Sequence, residues 1–309
     1  MAGASRRDRI ARFALVMNVR SQQRRRTGRV MTALTWTAAI VAIIPLVTIL
    51  AHLLVNGLGK LTPSFFTQLP SPPGVRGGGV ANAIIGSGIL VAIAMTVAVP
   101  VGIGAGLYLA EHRRGRFALA VRVLADVLSG LPSIVLGIFA WELIVRPSGH
   151  FSAWAGGIAL GLLVLPLVAR ATEEMVRLVP VALTEAALAL GYSRWRTSLT
   201  VVLRTAMPGI LTAVLIAMSR AAGETAPLLF TAFGNPFWSV DPARPIAALP
   251  LQIYAYAQSP YDEWRAQAWA GGLVLVILVA LISAAGHAVV RARAKLLSAV
   301  TPRVEQLDE

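Results

Sequence analysis

TEAALALGYSRWRTSLTVVLR, Thr184–Arg204, lies between two long apolar runs and is too polar to be one of them. Glu185, Ala186 and Ala187 open it, Gly191 follows, and Arg194 and Arg196 flank Trp195. Ala, Leu and Glu favour a helix, and Gly suits a helix end where the backbone turns left-handed. The pattern therefore predicts a short helix, a tight turn at Gly191, and a second helix starting near Ser193. Small Ala186 and Ala187 would let another protein approach the backbone closely, while the arginines stay in water. On composition alone, an ordinary loop joining two membrane helices is the competing reading.

The runs on either side decide the fold class. The chain has 309 residues, 56% of them hydrophobic and 14% charged, with a mean hydropathy of +0.70. Soluble domains carry about 25% charged residues. Runs of about 20 apolar residues can cross a bilayer as helices. Six candidates are present: Val30–Val55, Val80–Leu109, Phe117–Val145, Trp154–Val176, Met207–Phe233 and Trp269–Val290. Alternating β-barrel segments are absent, so the expected fold is an all-α, six-span, polytopic membrane protein.

A formal net charge of +14 raises the question of nucleic acid, but its distribution answers it. With both termini cytoplasmic, 22 of the 28 Lys and Arg residues fall on the inner side and five on the outer. This is the positive-inside bias, and such segments also favour anionic lipid. No nucleic-acid-binding motif accompanies them. The absence of Cys removes disulfides, thiolate metal sites and cysteine catalysis. No catalytic residue and no metal site is assigned.

Residues 1–29 read as a mobile, basic, cytoplasmic tail, 30–290 as the membrane domain, and 291–309 as a second cytoplasmic tail. The connector 56–79 holds Pro63, Pro70, Pro72, Pro73 and Gly77–Gly79, which cannot continue a helix. In the second span Gly86, Gly88, Gly102, Gly104 and Gly106 predict close helix packing, with a kink at Pro100. Leu131-Pro132-Ser133 interrupts the third span. In the fourth, Arg170 with Glu174 and Glu173 with Arg177 are i,i+4 pairs of opposite charge. The outer loop 234–268 carries Trp238, Tyr254, Tyr256, Tyr261 and Trp264, which suit an interfacial belt or a docking surface.

The fifth span contains a charge. Arg220 lies 13 residues beyond Met207, roughly 20 Å at 1.5 Å per residue and so near mid-membrane. An arginine there costs about 2.5–3.5 kcal/mol on insertion scales. Glu224, four residues on, can pair with it. Gly223 and Pro227 weaken the helix around the pair, leaving backbone free to line a cavity. The pair fits either a structural lock or an anion site, since planar guanidinium matches a tetrahedral oxyanion bidentately and keeps its charge.

Two sets of residues resemble a known family. Glu185-Ala186-Ala187, three residues and Gly191 resemble the coupling loop of bacterial ABC importer permeases, in which the loop sits in a groove of a cytoplasmic ATPase. That pattern continues Ile-x-Leu-Pro; here it reads Val201, Val202, Leu203 and Arg204, so Arg204 replaces the proline. RAAGETAPLLFT, Arg220–Thr231, resembles the signature of the A-type permeases of phosphate-specific ABC importers. LPLVARATEE, Leu165–Glu174, and Ile246–Ile253 are also similar to that family. The companion C-type permeases share a related Gly-Glu-Thr without the following Ala-Pro-Leu-Leu. The resemblance covers about 80–290.

The resemblance implies a type I importer permease for inorganic phosphate, with Arg170, Arg220 and Glu224 on the pathway and Glu185–Gly191 contacting the ATPase. It also implies partners: a homologous C-type permease, an ATPase dimer and an external phosphate-binding protein, all at a bacterial plasma membrane. ATP and Mg would be bound by the ATPase. Independently, a P-loop needs Gly-Lys-Ser/Thr. The only lysines are Lys60, followed by Leu61, and Lys295, preceded by Ala294. Rival readings are a permease for molybdate, sulfate or phosphonate, an ion-coupled carrier, and a non-transporting scaffold. Carriers often show two internal repeats, which are absent here, and a scaffold leaves Arg220 unexplained.

Overall fold

The structure is a computed structural model that describes the backbone of residues 6–112 and 114–300, with side chains over 27–112, 114–286 and at 288. The chain divides into two units, Met1–Leu54 and Val55–Glu309. The first is formed by helix α1, Arg6–Gly57, which runs on to the start of the second unit. The basic segment expected as a mobile tail is thus helical from Arg6 onward, continuous with the apolar run that follows. Within that run Thr32, Thr35, Thr37 and Thr48 donate their hydroxyls to carbonyls four residues back, so each polar group is satisfied inside the helix.

The second unit holds α2 (Pro63–Thr67), α3 (Ala81–Glu111), α4 (Arg116–Gly130), α5 (Ser133–Ser148) and α6 (Ala153–Arg177). It continues with α7 (Val181–Ala189), α8 (Arg194–Gly223), α9 (Ala226–Thr231), α10 (Leu249–Ala257) and α11 (Asp262–Val300). No strand occurs among the described residues; one isolated bridge joins Phe233 and Ile246. The second cytoplasmic tail expected at 291–309 is, through Val300, part of α11, and 301–309 lie outside the described residues.

The central pair is α3 with α6, and small residues set its closeness. A Cβ on Gly102 would lie 2.9 Å from the Val168 side chain, and one on Gly106 2.4 Å from the Ala169 carbonyl oxygen. In return Gly156 and Gly157 receive Leu90 and Ile93. Gly88 and Gly104 meet nothing within 4 Å, so the packing reading holds for one stripe of the helix and not the other. In lipid, where apolar area drives no association, such backbone approach is what holds helices together.

Among the described residues, five helices are long and apolar enough to cross a membrane, with mean hydropathies of 1.7 to 2.6; α4 and α5 pass the same test only as a pair bent by 108°. This corrects the third expected span, Phe117–Val145, only in the size of its bend: it is broken where the sequence places the interruption, at Leu131-Pro132-Ser133. The cause is local: Pro132 forces the preceding Leu131 out of helical conformation, to φ −73° and ψ 136°. The pair nevertheless runs from one end of the unit to the other. At its start, Phe117 packs edge-on against Tyr108 near the end of α3. At its finish, Ser148 precedes Ser152, whose N–H donates to the Thr231 carbonyl at 3.0 Å at the opposite end. Counted as one crossing, the pair brings the total to six.

The fifth expected span, Met207–Phe233, is corrected too. Its helix begins earlier, at Arg194, and ends at Gly223, after which α9 sets off separately. In an unbroken helix the Pro227 ring would clash with the carbonyl of Gly223, four residues back. The chain avoids the clash by extending at Glu224, φ −78° and ψ 134°. Helix α9 then lies against α5 so closely that a Cβ on Gly137 would come 2.6 Å from Pro227 Cα.

Candidate functional site

Ala217 and Ala221 bracket Arg220 and are buried with Ala98, Leu136, Leu163, Val164 and Val168. Ala98 and Val164 lie near the midpoints of helices of 31 and 25 residues, so Arg220 sits at mid-depth of the bundle. Its side chain remains 55% exposed, while the Glu224 side chain is 20% exposed. Arg220 Nε and Glu224 Oε1 are 3.6 Å apart, an ion pair rather than a hydrogen bond. The break at Glu224 places the carboxylate against the last turn of α8 and leaves the end of that helix without a continuing turn. This is an open, charged position in an otherwise apolar layer.

Arg170 stands nearer the other end, six residues from Val164 along α6 and therefore roughly 9 Å further on. The sequence pairs it with Glu174, but the structure pairs it with Asp126 of α4, and Glu174 is exposed. Helix contact with α4 wins over the i,i+4 geometry because α4 crosses α6 at this level. Glu173 pairs with Arg177 as expected, and it also receives Arg122 of α4, whose guanidinium donates to Glu173 Oε1 at 3.0 Å and to the Leu109 carbonyl at 2.9 Å. Glu173 is 5% exposed, a buried carboxylate held by two arginines. Arg122 and Asp126 escaped the sequence reading, although their i,i+4 spacing inside an apolar run was a visible signal.

At the same end α7 stops at Leu190, and Gly191 takes φ +85°. The Gly191 N–H donates to the Leu188 carbonyl at 3.0 Å and the Tyr192 N–H to the Ala187 carbonyl at 3.2 Å, the reciprocal pair of a Schellman turn. Helix α8 follows from Arg194 and passes Arg204 without a break, through a wider stretch at Ser198–Val202. Glu185 and Ala186 are exposed, but Ala187 is buried at 7%. The two alanines thus differ: the Ala187 methyl packs inward, and the Ala186 methyl is accessible. A cavity of about 580 Å³ lies beside the turn, lined among others by His112, Arg177, Thr184, Arg194 and Trp195.

At the far end, the 234–268 segment is folded rather than a free loop. The Ser87 hydroxyl accepts from the Leu249 N–H at 2.7 Å, and Tyr256 stacks on Trp264 with ring centroids 4.5 Å apart. Tyr256 is thereby buried, whereas Trp238, Tyr254 and Tyr261 stay exposed. No group of three or more metal-ligating side chains occurs among the described residues.

Up to six apolar spans among the described residues, with a close-packed α3–α6 pair and an arginine at mid-depth of the second unit, define a helical multi-span membrane protein of transport type. A model of the family described as binding-protein-dependent transport system inner membrane component matches residues 102–296. Phosphate transport system permease protein PstA of Yersinia pestis is 44% identical over 261 residues, 84% of this chain and 88% of that protein. The protein of the same name from Haemophilus influenzae is 43% identical, over 85% of this chain and 93% of its own. PstA 1 of Mycobacterium tuberculosis is 38% identical over 85% of this chain and 88% of its own. Among solved structures, the inward-facing MetNI methionine ABC transporter matches with a TM-score of 0.56 at 22% identity, covering 68% of this chain and 95% of that one, a likeness of fold. The chain belongs to the binding-protein-dependent transport system inner membrane components, and within them to the PstA permeases.

Proposed function

We propose that this chain is the membrane subunit of an ATP-driven importer for inorganic phosphate. The observation that carries the reading is Arg220, half-exposed at mid-depth beside Glu224 at a break between two helices. A permanently charged guanidinium there offers a bidentate site to an oxyanion, and its own carboxylate offsets the charge when the site is empty. The PstA relatives supply the substrate. Arg220, Glu224 and Arg170 form the pathway of this subunit, completed by a homologous C-type permease and supplied by an external phosphate-binding protein.

The chain makes no covalent bond. ATP and Mg belong to a partner ATPase dimer, which docks on Glu185, Ala186 and the turn at Gly191, within the coupling segment 184–204. Ala187 supports that surface from beneath. ATPase closure pulls the α7–Gly191 turn and opens the cavity outward; hydrolysis resets it. Both termini lie in the cytoplasm, residues 30–290 form the membrane domain, and its importer core spans about 80–290.

The test is transport by the assembled complex in vesicles, with labelled phosphate and competing molybdate, sulfate or phosphonate. ATP-dependent phosphate uptake that the other anions leave intact supports the reading. Uptake of another oxyanion in preference to phosphate replaces it.

A further inference from the structure

Each pathway arginine is met by one carboxylate from within the chain: Arg220 by Glu224, and Arg170 by Asp126. The second pair does not earn its place through stability. Helices α4 and α6 are already joined by Arg122 and the buried Glu173. The Arg170–Asp126 pair lies at the surface of the chain, with side chains 42% and 60% exposed. An exposed pair contributes about 0–1 kcal/mol. Asp126, between Ala125 and Val127 of α4, therefore adds little to the joining of the two helices.

Position supplies the reason. Leu163, Leu167 and Arg170 stand at i, i+4 and i+7, one stripe of α6. Leu163 and Leu167 pack with Leu136, Ala217 and Ala221, beside Arg220. The stripe therefore descends from the level of Arg220 to Arg170, and an anion moving that way meets the Arg170 guanidinium last. A bare guanidinium would hold it through two charge-assisted hydrogen bonds. A carboxylate offers the same fork the same geometry, so exchange of one anion for another leaves the arginine's hydrogen bonds intact.

We propose that Asp126 is a release residue of the anion pathway: it occupies Arg170 between cycles and displaces the departing anion, which then cannot rebind from the cytoplasmic side. This rests on the phosphate-import reading above. Asp126 is a competitor for Arg170, and its removal exposes a trap at the exit.

The experiment uses the full complex in vesicles loaded with ATP and graded concentrations of unlabelled phosphate, measuring initial uptake of labelled phosphate. Asp126→Asn should become sensitive to luminal phosphate at about tenfold lower concentration than the parent. Asp126→Glu should restore the parent's sensitivity, and Arg170→Gln with Asp126→Asn should remove the gain. Luminal chloride at matched ionic strength should leave Asp126→Asn unaffected; equal inhibition by chloride would reduce the effect to charge screening and overturn the proposal. Equal phosphate sensitivity in the parent and an assembled Asp126→Asn complex overturns it, as does failure of both Asp126→Asn and the double variant to assemble, which would make the pair a requirement of folding. A parent complex that imports no phosphate refutes the substrate reading instead, and an importing parent with an unaltered variant confines the failure to Asp126.

Discussion

Arg220 and Glu173 are both charged residues inside the bundle, and their surroundings assign them opposite duties. Arg220 is half-exposed at mid-depth, 3.6 Å from a carboxylate that does not hydrogen-bond it. Removing its charge relieves an insertion cost of about 2.5–3.5 kcal/mol, so Arg220→Ala should insert and assemble as the parent does. Loss of a charge-assisted contact of about 1.5–3 kcal/mol should lower phosphate uptake by at least about 10–100-fold. Uptake assays on complexes normalised for assembly would decide it, and parental uptake would end the anion-site role. Glu173 is buried, and truncating it leaves Arg122 and Arg177 without their shared carboxylate. Glu173→Ala should therefore cost stability on the order of 3 kcal/mol, read as earlier unfolding of the purified complex in denaturant. A variant that unfolds like the parent but imports poorly would move Glu173 from scaffold to pathway.

At the scale of elements, the α7 turn and the broken helices carry the behaviour. Gly191 holds φ +85°, and a β-branched residue there costs about 1–2 kcal/mol, which Gly191→Val avoids by re-angling α7 against α8. Nothing within 4 Å opposes a side chain at this position, so the cost is conformational and local. Gly191→Val and the exposed Glu185→Ala should fold normally yet release the ATPase subunit on co-purification. Full ATPase retention with normal coupling by both variants would make the segment a plain connector. Where the sequence was legible, one residue's conformational preference set the outcome: Gly191 for the turn, Pro132 and Pro227 for the breaks. It was silent where a contact between elements decided. Arg170 takes Asp126 from a helix 44 positions earlier rather than Glu174 on its own, and Ala187 turns inward beneath Ala186. Pro132 sets where the third span breaks, but the sequence did not show that α5, bent by 108° from α4, would come to lie close against α9 at Gly137 and Pro227.

At the scale of the molecule, orientation depends on whether the bent pair α4–α5 crosses the membrane or returns to the side it left. The packing answers for a crossing: α4 starts beside the end of α3, while the residues just after α5 are bonded to Thr231 and Arg244 at the opposite end. A crossing also preserves the distribution of basic residues, with Arg114, Arg116, Arg194 and Arg196 on one side and Arg146 and Arg244 on the other. The chain has no cysteine, so single Cys substitutions report position without background. Arg114, His150, Ser193 and Ala243 are all exposed and lie in the connections at the two ends. In intact cells, a membrane-impermeant maleimide should label His150→Cys and Ala243→Cys from outside. It should reach Arg114→Cys and Ser193→Cys only after the membrane is opened. If α4–α5 were re-entrant, Arg114→Cys and His150→Cys would both label only after the membrane is opened, and the Ser193 turn and the Ala243 segment would each change sides, because α6 and α8 cross once each. Such a result would place the turn at Gly191 outside the cell, where no cytoplasmic ATPase could engage it.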